Sequence, residues 1–109
     1  MKIRKINLFE LWPENVYKST IFKIEKFIDG EESWLRWTFK VEGKSFASGL
    51  TPAILFDGNR LDRWLRILDV NIKVGQEVET ADLLGKAAII NITVDDTGQY
   101  ANADIVDGR

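Results

Sequence analysis

Trp34, Arg36 and Lys40 sit at alternate positions of one short segment, Trp34-Leu35-Arg36-Trp37-Thr38-Phe39-Lys40-Val41. Alternate residues of an extended strand share a face, so this spacing sets a flat ring beside two cations. A ring of this kind stacks on a base or a sugar, and cations hold phosphates. Each stacked base is worth about 1–3 kcal/mol. This is the chemistry of binding, and nothing in the chain adds the chemistry of turnover. There is no histidine and no cysteine, which removes imidazole catalysis, thiolate nucleophiles, thiolate metal sites and disulfides. No phosphate-cradling glycine loop or reasoned carboxylate pair replaces them, so no enzyme and no cofactor is expected. No metal is expected either. Asp82, Asp95, Asp96 and Asp104 are acidic, but Asp95-Asp96-Thr97-Gly98 is a hairpin turn first and lacks the spacing of a calcium loop.

Each candidate has an ordinary structural reading beside the functional one. Trp34 is either a stacking platform on a solvent face or plain core beneath the N-terminal segment. Phe46 depends on turn geometry. A two-residue turn at Glu42-Gly43 pairs it with Phe39 and hence inside, whereas a longer turn with a Gly43 bulge pairs it with Thr38 on the binding face. Tyr17 and Lys23, on the outer face of the first strand, and Tyr100, after the last hairpin, are weaker candidates whose default is strand surface. Arg60, Arg63 and Arg66 could meet phosphates, against a default of a solvated helix face partly paired with Asp62 and Asp69. Trp37, Phe39 and Trp64 belong to the core by periodicity.

The elements that must position these residues follow from pattern. Residues 1–15 form an N-terminal segment capping the barrel, in which Leu8, Leu11 and Trp12 have helical spacing before the turn signal Trp12-Pro13-Glu14-Asn15. Residues 16–28 read as a long first strand. Its alternation runs through Thr20, Phe22 and Ile24 and breaks before Phe27, the mark of a bulge or bend. The second strand, 34–41, places Leu35, Trp37, Phe39 and Val41 on one face. A hairpin leads to a third strand over 44–50, and a loop over 51–58 contains Pro52. Residues 59–68 form a helix whose stripe is Leu61, Trp64, Leu65 and Leu68, with Asp57 or Asn59 as cap. Thr80 caps a short turn over 81–84 that Gly85 ends. Residues 87–95 make a fourth strand with Ala88, Ile90, Ile92 and Val94 on one face, and 100–106 a fifth.

Three strands, a helix and two strands, joined by short antiparallel turns, spell an all-β domain. The expectation is a five-stranded OB-type Greek-key barrel over 16–109 with a helix between strands 3 and 4 plugging its open end. The 109 residues suffice for one such core and no more. No run is long and apolar enough for a signal sequence or a membrane span, so a cytoplasmic protein without a membrane partner is expected. Residues 1–66 carry 12 basic and 9 acidic side chains, and residues 67–109 carry 3 and 8. The front is mildly basic and the back acidic, which permits a polyanion on one face without a strongly basic footprint.

The segments Trp34-Leu35-Arg36-Trp37-Thr38-Phe39-Lys40-Val41 and Leu83-Leu84-Gly85-Lys86-Ala87 resemble those of small OB-fold single-stranded DNA-binding proteins of viruses and prokaryotes. Ser48-Gly49-Leu50-Thr51 and the helix after it are similar to those of a group of short phage-borne proteins. The resemblance covers most of residues 16–106 and rests on pattern more than on signature residues. It implies sequence-independent binding of single-stranded DNA, or RNA, in replication, recombination or repair. It also implies that Trp34, Arg36 and Lys40 line a groove gripped by the first and last hairpin loops. Those loops are acidic here, with Asp29, Glu31 and Glu32 in one and Asp95 and Asp96 in the other, and the acidic C-terminal tail common in the family is missing. These departures leave room for a protein-interaction or viral assembly module, with a homo-oligomer among its forms. An oligosaccharide binder using the same ring is a third reading.

Overall fold

The computed structural model describes residues 1–3, 15–41, 46–96 and 101–108. The N-terminal cap expected over residues 1–15, with Leu8, Leu11 and Trp12, and the site candidate Tyr100 therefore lie almost wholly outside the described residues. The described chain is mainly β. Its elements are β1 (Asn15–Asp29), β2 (Glu32–Val41), β3 (Phe46–Pro52), helix α1 (Arg60–Ile67), a 3-10 turn (Thr80–Leu83), β4 (Ala87–Val94) and β5 (Ala101–Asp107). The strands form one antiparallel sheet in the order β3-β2-β1-β4-β5, with the helix between the third and fourth strands as expected.

The sheet is not closed into a barrel. No hydrogen-bonded ladder joins its edge strands β3 and β5 among the described residues. They nevertheless pack alongside each other, and the backbone of Gly49 lies against the carbonyl oxygen of Ala103. Trp64 of α1 lies at the same seam. Its Cη2 is 2.9 Å from where a Cβ on Gly49 would stand, and its Nε1 donates to Asp104 Oδ1 of β5 at 2.7 Å. An indole and a close backbone contact thus hold together what a ladder would otherwise join.

The inner face of the sheet and the stripe of α1 make one core. Ile21, Trp37, Phe39, Val41, Ala88, Ile90, Ile92, Ala103 and Ile105 come from the strands, and Leu61, Trp64, Leu65 and Leu68 from the helix, all buried. Trp64 stands edge-on to Trp37 and Phe39, with centroids 5.1 and 5.9 Å apart, and such pairs add about 0.5–1.5 kcal/mol beyond area burial. The polar groups of Trp37, Thr51 and Ser19 that are drawn inside find partners. Trp37 Nε1 donates to Thr51 Oγ1 at 3.0 Å, and Ser19 Oγ donates to the Ala88 carbonyl at 2.8 Å.

At the start of α1, Asn59 Oδ1 accepts from the Asp62 N–H at 2.9 Å and Asp62 Oδ2 accepts from the Gly58 N–H at 2.9 Å. The first bond satisfies a donor that the helix start leaves without a partner, and the second ties the residue before the cap to the first turn. The 3-10 turn is capped by Glu79, one residue before the expected Thr80, because the Glu79 carboxylate reaches the Ala81 N–H. Gly85 ends it with φ +87°, a conformation natural to glycine.

The break in β1 differs from the expected position. The register slips between Ile21 and Lys23, so Phe22 is the extra residue. Ile21 donates to the Lys86 carbonyl and accepts from the Gly85 N–H, at 2.9 and 2.8 Å. This fixes Ile21 inward, while Ile24 also turns inward opposite Trp37. Two inward residues three positions apart require a bulge between them.

Candidate functional site

The bulge determines what the outer face of β1–β3 displays. Before it, Lys18 and Thr20 point away from the core; after it, Lys23, Glu25 and Phe27 do. Paired with β2 and β3, these residues form rows across the sheet: Thr20 with Lys40 and Phe46, Lys23 with Thr38 and Ser48, Glu25 with Arg36 and Leu50, Phe27 with Trp34 and Pro52. Consecutive rows lie two residues apart, about 6.6 Å.

Two of the rows carry rings. Phe22, on the bulge of β1, meets Phe46 of β3 with centroids 4.9 Å apart and planes tilted by 46°. Since β2 runs between those strands, the two side chains close over it. Both rings remain in contact with solvent, at 52% and 46% exposure. Lys40 lies in the same row, and Lys18, Ser19, Thr20 and Lys40 line a shallow depression beside it. Three rows further along, the Arg36 guanidinium lies over the Phe27 ring, 4.9 Å from its centroid, next to the half-buried Trp34. Lys18, Lys23, Arg36 and Lys40 face Glu25 as the one carboxylate among the described residues of these rows. Lys23 Nζ is 3.3 Å from Glu25 Oε2 with both side chains exposed, so this pair is held weakly.

Among the sequence candidates, Trp34, Arg36, Lys40, Phe46 and Lys23 fall on this one face. Trp34 is neither fully core nor fully displayed. Phe46 pairs with Lys40, not with Phe39 or Thr38, and shares the outward side. Tyr17 separates from Lys23, because it precedes the bulge: it is half-buried opposite Ile90 and packs against the core. Phe22, Phe27, Lys18 and Thr20 join the face without having been singled out from sequence. The sequence signal for Phe22 was its parity with Lys18 and Thr20, which its apolar character disguised as core.

The arginines of α1 are committed elsewhere. Arg60 and Arg63 reach Asp104 Oδ1 at 3.3 and 3.2 Å, and Arg66 Nε reaches Asp62 Oδ2 at 3.0 Å. Asp104 replaces Asp69 as the expected partner, because the same carboxylate already accepts from Trp64. The Gly58 N–H holds the Asp62 carboxyl below its ordinary range, against partial burial and with help from Arg66. Among the described residues no three acidic groups gather as metal ligands, and no helix is long and apolar enough to cross a membrane. Set against known proteins, the chain matches no family model and no curated sequence.

Proposed function

We propose that this protein binds single-stranded DNA without sequence preference on the outer face of β1–β3. The sheet, with its helix at the β3–β5 seam, is read as an OB-type Greek-key arrangement that lacks a ladder between β3 and β5 among the described residues. The observation that carries the reading is the exposed Phe22–Phe46 pair, which shares its row with Lys40 and sits beside Lys18. Rings left half in water stack on bases whatever their identity, and the surrounding cations take the phosphates. Phe46 and Phe22 are the principal stacking residues, joined by Trp34 beside Phe27. Lys40, Lys18, Arg36 and Lys23 hold the backbone. The roles implied are the coating of exposed strands in replication, recombination or repair, with RNA as the other polymer the same chemistry accepts. This is a binder and not a catalyst.

Titrating a fluorescein-labelled oligothymidine of about 20–30 nucleotides with the protein, read by anisotropy at two salt concentrations, tests the proposal. The expected result is salt-weakened binding, poor competition by duplex, and a roughly 5- to 150-fold loss in Phe46→Ala at an unchanged melting temperature. Absence of binding at low salt would overturn it. A second reading, a protein-interaction or assembly module, is favoured by a different surface. There Leu55, Phe56, Ile72 and Val74 line a depression beside α1, with Ile54 and Phe56 exposed. That reading predicts no polynucleotide affinity and a complex that Phe56→Asp disrupts.

A further inference from the structure

The rows between the two aromatic ones carry no rings. Lys23, Thr38 and Ser48 fill one, and Glu25, Arg36 and Leu50 the other. Lys23, Thr38 and Ser48 offer a cation and hydroxyls to a phosphodiester and no flat surface to a base, while in the next row Glu25 is paired with Lys23 and the Arg36 guanidinium leans over Phe27. From Trp34 to Lys40 along β2 the two platforms stand six residues apart, roughly 20 Å. A stacked strand rises about 3.4 Å per nucleotide, so the gap spans at most about six nucleotides, and fewer when the strand is drawn out. Past Trp34 the hairpin ends in Asp29, Glu31 and Glu32, all exposed, which repel a phosphate chain and bound the site on that side.

Resting on the single-strand reading, we infer that the face is a two-platform site that grips a short strand by the bases at its two ends and by phosphates alone in the middle. One platform is Phe22–Phe46, flanked by Lys40. The other is Trp34 with the Arg36 guanidinium over Phe27, since an arginine plane stacks on bases as rings do. The strand lies along β2, and the bases over Lys23, Thr38 and Ser48 are not read.

Two eight-nucleotide probes with equal numbers of bases distinguish this arrangement from uniform stacking. In one, a single thymidine at each end flanks six abasic residues; in the other, two central thymidines are flanked by three abasic residues at each end. Every phosphate is retained in both. The end-loaded probe is expected to bind within about threefold of octathymidine. The centre-loaded probe, whose two adjacent bases cannot reach both platforms even in a drawn-out strand, is expected to bind at least about tenfold more weakly, the loss of one stacked platform. Trp34→Ala should bring the end-loaded probe down to the level of the centre-loaded one while the melting temperature holds. Equal affinity of the two probes, or a preference for the centre-loaded one, would overturn the two-platform site and leave single-strand binding standing. Failure of octathymidine itself to bind would overturn both.

Discussion

Replacing Gly49 with alanine places a methyl group where β3 meets β5. The added Cβ would overlap the carbonyl oxygen of Ala103 and stand 2.9 Å from Trp64 Cη2, and neither neighbour can swing aside. The carbonyl belongs to the main chain of a strand. The indole is fully buried, wedged edge-on to Trp37 and Phe39 and tied to Asp104. Overpacking typically costs about 1–3 kcal/mol, and with two rigid neighbours the upper end, about 3 kcal/mol, applies. Each kcal/mol lowers the melting temperature of a domain near this size by about 4–8 °C, so the variant should melt at least on the order of 12 °C below the parent. Circular dichroism melts paired with urea titrations read this directly. Ser48→Ala, one residue away on the outer face and exposed, is the control and should stay within about 0.5 kcal/mol. If Gly49→Ala melts within about 3 °C of the parent, β3 and β5 do not touch at Gly49, and the account of the seam is wrong.

Asp104 separates a hydrogen bond from a charge: Asp104→Asn keeps an acceptor for the buried indole and should cost less than about 1 kcal/mol, since its ion pairs to Arg60 and Arg63 are solvent-exposed. Asp104→Ala leaves that donor without an acceptor and should cost about 1–3 kcal/mol by urea denaturation; equal costs for the two variants would show that the indole bond contributes nothing. The Asp62 carboxyl, held below its ordinary range chiefly by the Gly58 N–H, stabilises the start of α1 in its charged form. That contribution is complete above the unfolded carboxylate range and is lost as pH falls through the lowered folded value. The melting temperature of Asp62→Asn should therefore lie below the parent at pH 7 and converge with it at strongly acid pH; a gap that persists in acid would refute this.

Local periodicity made much of the fold legible. The alternation of Trp37, Phe39 and Val41, the stripe Leu61-Trp64-Leu65-Leu68 and the row Ala88-Ile90-Ile92-Val94 all enter the core where their spacing puts them. The bulge was misplaced for a physical reason. Phe22 and Ile24 are both apolar and look like one continued face, while the force that shifts the register is the hydrogen bonding of Ile21 to Gly85 and Lys86, more than sixty positions away. With the bulge went half the candidate site: Phe22 and Phe27 were hidden, and Tyr17 was set beside Lys23 on a face it does not share. The partner of Arg60 and Arg63 was likewise beyond local reading, because Asp104 arrives from β5, whereas the Arg66–Asp62 pair was legible from helical spacing. By contrast Trp34, Arg36 and Lys40 needed only a period of two, and their common side was readable from the start.

The strand order also sets a timetable for synthesis. β1, β2 and β3 are contiguous, so they can pair as soon as residue 52 has left the ribosome. The inner face they share, with Trp37 and Phe39 at its centre, waits for α1, and β1 waits for β4 to fill its second edge. At about 5–20 residues per second the remaining strands follow some 3–10 s later. Until α1 emerges, about 1–3 s after β3, the nascent chain presents a three-stranded sheet with a bare aromatic face. The helix, first to emerge after β3, is the natural cover, and substitutions that weaken its stripe should lower soluble yield in cells more than their effect on the finished fold explains.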